Sequence, residues 1–206
     1  LSIQFDGSSN EPNWEILAHI LPHIQSKKIE LHFVGGGNER TEDMRAFAKA
    51  IQGHPAIVAI IAGSFSENAA TLWSALATLP NLESAVLEHH QLSSAEVSTF
   101  WSPESVTEFL RAPSLRSVEF RHTCFPRSLC QATAMALRQG SSITFLKLCG
   151  CFFLEGGSEE IASAFKENTT LTTFEMSPVP RNIHQAFYDT MAASLLSNAT
   201  LQSLLI

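Results

Sequence analysis

The sequence predicts an α/β repeat protein, one segment of an open, curved solenoid shaped like a horseshoe. A parallel β-sheet is expected on its concave face and helices on its convex face, with residues 1–206 forming a single domain of about seven to eight repeats. Three observations lead there. Short apolar triplets recur at near-regular intervals, the segments between them have helical spacing, and a proline or asparagine stands just before most of the triplets.

The triplets have the form apolar-x-apolar: Ile3-x-Phe5, Ile29-x-Leu31, Ile60-x-Ala62, Ala85-x-Leu87, Val118-x-Phe120, Leu146-x-Leu148, Phe174-x-Met176 and Leu204-x-Ile206. Successive triplets lie 26, 31, 25, 33, 28, 28 and 30 residues apart. The last six have a further apolar residue three positions upstream: Ile57, Leu82, Leu115, Ile143, Leu171 and Leu201. Each triplet is predicted to be a strand.

Between them the apolar residues repeat at three and four. They are Trp14, Leu17, Ala18 and Leu21, then Met44, Phe47, Ala48 and Ile51, then Leu72, Leu76 and Leu79. Val106, Phe109 and Leu110 follow, then Leu129, Ala132 and Ala136, then Ile161 and Phe165, and last Phe187, Met191 and Leu195. Pro55, Pro80 and Pro113 each stand two residues before an upstream anchor, where they stop a helix and turn the chain into the next strand. Asn168 and Asn198, one residue earlier in their repeats, suit the same task.

A strand and a helix cannot bury their apolar stripes alone, so such units stack and share one core. Strands pack about 4.8 Å apart and helices about 10 Å apart, so the stack bends with its strands inside.

Composition supports a folded domain: 45% of residues are hydrophobic and 16% charged. The net charge is −7, with no basic run, which disfavours nucleic acid and fits a protein partner with a basic surface. No apolar run approaches a membrane span, and no basic-then-apolar leader opens the sequence. Cys124, Cys130, Cys149 and Cys151 crowd into one part of the chain and do not form a disulfide framework, so a reducing, cytoplasmic location is expected.

The two best-formed units run from Leu115 to Phe125 and from Ile143 to Phe153. The second follows L-x-x-L-x-L-x-x-C/N-x-L throughout, with Cys151 on the Cys/Asn position; the first departs there, at Thr123. Glu167 to Met176 and Asn198 to Ile206 match the related N-x-T-L-x-x-L-x-L form. The chain thereby resembles the ribonuclease-inhibitor-like leucine-rich-repeat family along its whole length. It departs at Ala62 and Ala85, where leucine is usual, and at the Cys/Asn position, which holds Val34, Phe65, His90 and Val179 in other units. The resemblance implies an inward-pointing Cys151 and a non-catalytic protein-protein interaction module or scaffold. The alternative it implies is a regulatory subunit or adaptor acting on an enzyme, GTPase-activator-like or ubiquitin-ligase-adaptor-like, with Arg121 or Arg181 as a supplied group.

Side chains alternate along a strand, so the residues between the apolar positions point outward. A central outward row is expected at Gln4, Glu30, Ile61, Val86, Glu119, Lys147, Glu175 and Leu205, and a second at Asp6, His32, Gly63, Glu88, Arg121, Cys149 and Ser177. The candidate partner-binding residues are Glu30, His32, Ile61, Val86, Glu88, Glu119, Arg121, Lys147 and Glu175.

Other chemistry is set aside. His89, His90, His122, Cys124, Cys149 and Cys151 have the ligand types of a zinc site, but Cys149 and Cys151 are expected on opposite faces. No Gly-x-Ser-x-Gly elbow occurs. Gly35-Gly36-Gly37 lacks the Lys-Ser/Thr ending of a phosphate loop, and Gly156-Gly157 reads as a turn. Asn168-Thr-Thr and Asn198-Ala-Thr are formal glycosylation sequons that the repeat itself explains, while Trp14, Phe100 and Trp101 read as outer-helix packing. No catalytic residue, cofactor or metal is assigned. Strand sequence opens and closes the chain without polar caps, so further repeats or a partner are expected at its ends.

Overall fold

The computed structural model describes residues 1–6, 16, 19–24, 26–34, 41–63, 69–88, 102–154, 156–178 and 183–206. Trp14, the triple glycine, Phe65, His89, His90, Phe100, Trp101, Val179 and Arg181 lie outside them.

The chain alternates strand and helix. Its strands are β1 (Ser2–Asp6), β2 (Ile29–Val34), β3 (Ile57–Gly63), β4 (Ser84–Glu88), β5 (Ser117–Arg121), β6 (Cys124–Phe125), β7 (Phe145–Cys149), β8 (Phe152–Phe153), β9 (Thr173–Met176) and β10 (Ser203–Leu205). A short 3-10 helix (Leu21–His23) precedes β2, and the longer helices among the described residues are α1 (Thr41–Ile51), α2 (Ala69–Ala77), α3 (Pro103–Leu110), α4 (Arg127–Arg138), α5 (Ser158–Ala164) and α6 (Gln185–Leu195). None is long and apolar enough to cross a membrane.

One eight-stranded sheet has the order β1-β2-β3-β4-β5-β7-β9-β10, which is chain order, and every pair in it is parallel. Each helix packs on the next, α1 to α6 in sequence. Each strand-helix-strand step therefore adds one rung, the arrangement that parallel pairing with helical crossovers demands. Strands β6 and β8 form a separate parallel pair just past the main sheet, which the triplet spacing does not reveal.

The register corrects one strand. The triplet spacing takes Ile29-x-Leu31 as the second rung, but Ile3 and Phe5 pair with Leu31 and Phe33, and these with Ile60 and Ala62. Ile29 lies opposite Ile57 instead, so it is the upstream anchor of its unit, and a register shift between Ile29 and Glu30 absorbs one missing residue. The first two intervals become 28 and 29 residues, closer to the rest than 26 and 31.

The core lies between sheet and helices. The described inward residues of the inner strands are buried, among them Leu31, Ile60, Leu87, Phe120, Leu148 and Phe174. Opposite them sit Phe47, Leu76, Phe109, Leu129, Ile161 and Phe187 from the helices. Trp73 is also buried, one place beyond the spacing that marks Leu72 and Leu76, and its ring meets Phe109 at 5.4 Å. Such a ring pair adds about 0.5–1.5 kcal/mol beyond the area it buries.

Side chains at the helix-to-strand turns hold neighbouring units together. Asn81 donates to the Pro55 carbonyl at 2.8 Å, and the Ser114 hydroxyl donates to the Pro80 carbonyl. Asn168 donates to the Leu137 carbonyl at 2.8 Å and Asn198 to that of Phe165 at 2.6 Å. The oxygen of each asparagine accepts from two backbone N–H groups of its own turn, those of Thr170 and Leu171 or of Thr200 and Leu201. Where three units use proline to redirect the chain, these two use a side-chain amide, and the sequon nitrogens are spent on it.

Candidate functional site: the outward face of the sheet

Alternation along β4, β5 and β7 leaves every second side chain half-buried on the sheet's free face, with the buried ones between. The central row across that face is Gln4, His32, Ile61, Val86, Glu119, Lys147, Glu175 and Leu205. The spacing puts Glu30 beside Ile61; the structure puts His32 there. Glu30 instead shares an upstream row with Ser2, Ala59, Ser84, Ser117, Phe145, Thr173 and Ser203. The downstream row runs Gly63, Glu88, Arg121 and Cys149 from β3 to β7, and His32 lies in the central row rather than in it. Of the nine candidates, all but Glu30 lie on the central and downstream rows.

The upstream row is a third outward row that the triplet rule does not reach, and it contributes half-buried Ala59 and Phe145. Its signal is available, since the residue just before each triplet must face outward as well.

The face divides into an apolar and a charged half. Ile61 and Val86 stand opposite each other on β3 and β4, with Ala59 next to Ile61 on its own strand. From β4 to β9 the charges interlock. The Arg121 guanidinium clasps Glu119 with two hydrogen bonds, Nε to Oε1 at 2.9 Å and Nη2 to Oε2 at 3.0 Å. Lys147 Nζ reaches Glu175 Oε1 on the next strand at 3.0 Å. The hydrogen bonds that Arg121 donates to Glu119 raise the Arg121 pKa, with Glu119 and Glu88 adding to it through their charge. The hydrogen bond to Glu175 likewise raises that of Lys147, and the charges of Glu175 and Glu119 reinforce it.

Arg121 is 39% exposed, so its pair contributes little to stability. What the pairs do is hold the charges in fixed places. The acids that the sequence marks as candidates for a basic partner are thus partly answered from within: Glu119 and Glu175 each already hold a cation. The same clasp counts against Arg121 as a group supplied to another enzyme's active site.

The cysteines of this end divide between the core and the outward face. Cys151 lies in the core, where burial pushes its thiol up to about 12, and Cys149 lies on the opposite, outward side. Burial raises the thiols of Cys130 and Cys124 as well. Cys151 Sγ contacts the Phe120 carbonyl at 3.4 Å and the Cys149 carbonyl at 3.7 Å. One unit earlier, buried Thr123 donates to the Leu87 carbonyl at 3.4 Å and to the Arg121 carbonyl at 3.0 Å. Threonine at the Cys/Asn position therefore bridges to the preceding strand and to its own strand end just as cysteine does. Among the described residues no group of three or more His, Cys, Asp or Glu is placed to hold a metal ion.

No family model matches the chain, and no curated protein matches it. Among solved structures it is similar to the tropomodulin C-terminal domain of Caenorhabditis elegans. That likeness has 15% sequence identity and a TM-score of 0.42, covering 89% of this chain and 94% of that one.

Proposed function

We propose that the chain is a leucine-rich-repeat solenoid, a single curved domain whose outward strand face binds another protein, and that it performs no catalysis itself. The observation that carries this is the in-register face itself. Eight parallel rungs align three outward rows into one continuous surface, apolar on β3 and β4 and charged from β4 to β9. Apolar side chains held beside fixed charges are the makings of a protein interface. The curvature follows from the unequal spacing of strands and helices, and small-angle scattering of the isolated chain is expected to show an arc.

The experiment places a photo-crosslinking residue at Val86 and, separately, at Met135, which is exposed on α4. A partner crosslinked from Val86 and not from Met135, and lost when Ile61→Ser and Val86→Ser are introduced into a chain with unchanged circular dichroism, supports the reading. A partner captured from Met135 alone would overturn it.

A further inference from the structure

The rungs of the outward face are not alike in the upstream row. From β3 to β10 that row is Ala59, Ser84, Ser117, Phe145, Thr173 and Ser203: it carries no charge, and Phe145 is its one large side chain. Leu146 and Leu148 of the same strand fill the core, and alternation turns Phe145 the other way, where it is half-buried. Its register neighbours, Ser117 on β5 and Thr173 on β9, have short side chains and are half-buried too. A phenyl ring between short side chains leaves an apolar edge for an incoming side chain to rest against. The strands on either side of it, and the turns that lead into them, lie within the described residues.

The surroundings decide the chemistry of that incoming side chain. On β5, β7 and β9 the central and downstream rows hold two carboxylates and two cations. These are joined in pairs, Arg121 with Glu119 and Lys147 with Glu175. Toward the strand starts, Arg116 donates to the Pro113 carbonyl at 2.8 Å, and the Thr144 and Thr172 hydroxyls donate to the carbonyls of Arg116 and Thr144. A charged group laid on Phe145 would lose water and find the nearby charges already engaged with each other, which is unfavourable. An apolar side chain gains from the same burial.

We propose that Phe145 is an anchor of the binding face: the protein segment bound here lays an uncharged, apolar side chain on its ring, between Ser117 and Thr173. This deepens the proposed function and rests on the strand face being the binding surface. It also sets this part of the face apart from the basic partner that the net charge of −7 suggests.

The test is a nuclear magnetic resonance titration of isotopically labelled chain with blocked amino acids, each one side chain between two peptide groups. N-acetyl-leucinamide is expected to shift the Phe145 ring and Thr173 methyl resonances and to saturate in the millimolar range that a ligand of this size reaches. The corresponding lysine and glutamate amides are expected to bind at least about fivefold more weakly. Binding of the leucine probe is expected to hold as salt is raised, where a contact between charges would weaken. Phe145→Ser is expected to abolish the saturating shifts and Phe145→Leu to keep most of them. Thr173→Lys sets a cation beside the ring and is expected to turn the preference toward the glutamate probe, each variant in a chain whose amide spectrum stays dispersed.

Lysine or glutamate amides that bind the parent chain as tightly as the leucine probe overturn the uncharged occupant. Shifts at Ile61 and Val86 with none at Thr173 overturn the anchor and leave the strand face standing as the binding surface. Shifts confined to the helices around Met135 overturn both readings. Saturating shifts at Thr173 that survive Phe145→Ser, or no saturating shift at all, overturn the anchor.

Discussion

Replacing Asn168 by alanine tests how the rungs are held in line. Its side chain is 3% exposed and makes three strong contacts: Oδ1 accepts from the N–H groups of Thr170 at 3.1 Å and Leu171 at 2.7 Å, and Nδ2 donates to the Leu137 carbonyl at 2.8 Å. Asn168→Ala leaves the Leu171 N–H and the Leu137 C=O stranded in places that exclude water. Each stranded buried group costs about 1–3 kcal/mol, so the loss for the two is about 2–6 kcal/mol. Asn198 makes matching bonds but is only half-buried, so water replaces part of what alanine removes there, and the loss is about 1 kcal/mol. Urea unfolding followed by circular dichroism reads both. With a slope of about 1–3 kcal/mol per molar, the midpoint of Asn168→Ala is expected to fall by about 1 M or more at unchanged slope, and that of Asn198→Ala by less. A midpoint for Asn168→Ala within about 0.2 M of the parent would show that the turn amide does not tie the units together.

Alkylation followed by mass spectrometry is expected to label half-exposed Cys149 first and to leave Cys130 and Cys151 unmodified until the chain is unfolded, because both are buried and their thiols are pushed up. The same burial makes stability fall on the alkaline side. The unfolded thiol ionises near pH 8.5 and the folded Cys151 thiol at about 12, so the native state holds the extra proton between those values. Its contribution is whole below about pH 8.5 and declines by about 1.4 kcal/mol per pH unit above it, a slope that Cys151→Ala is expected to reduce. A Cβ added at Gly157 would meet Cys130 Sγ at 2.5 Å, so Gly157→Ala is expected to cost about 1–3 kcal/mol by overpacking. Combining it with Cys130→Ala is expected to cost less than the two changes summed, and full additivity in thermal unfolding would argue against the contact.

The architecture is legible in the sequence because its signal is periodic. Seven of the eight rungs fall where the triplets put them, and the buried helix residues Phe47, Leu76, Phe109, Leu129, Ile161 and Phe187 fall on the expected spacing. The eighth rung misleads for a physical reason. Ile29, Leu31 and Phe33 alternate as three apolar residues in a row, so either overlapping pair passes for the triplet, and a strand read one pair early moves each of its outward side chains up by one row. Interval regularity separates the two choices. The turn bridges are less legible, because Asn81, Ser114 and Asn168 act across units about one repeat apart and carry no pattern of their own. The charge pairs of the face are legible only once the register is known: Lys147 and Glu175 become neighbours when β7 and β9 are laid side by side.

The two sides of each strand answer to different demands. Inward, Thr123 stands in for cysteine or asparagine because its hydroxyl reaches the same two carbonyls that Cys151 reaches one unit later. Any residue there must keep a donor of that reach or strand the preceding rung, so chemistry narrows the choice. Outward, no rung depends on the identity of Ile61, Val86 or Lys147 for its backbone bonds, and the surface pairs contribute little to stability. Those positions can change while the rungs beneath stay in place. On the proposed reading, specificity resides in side chains whose loss leaves the fold standing, and it relies on buried contacts to keep the strands aligned within the tolerance a binding surface requires. On that same reading, a face whose cations are already clasped adds discrimination more than affinity, since a partner must match fixed charges to avoid leaving one uncompensated.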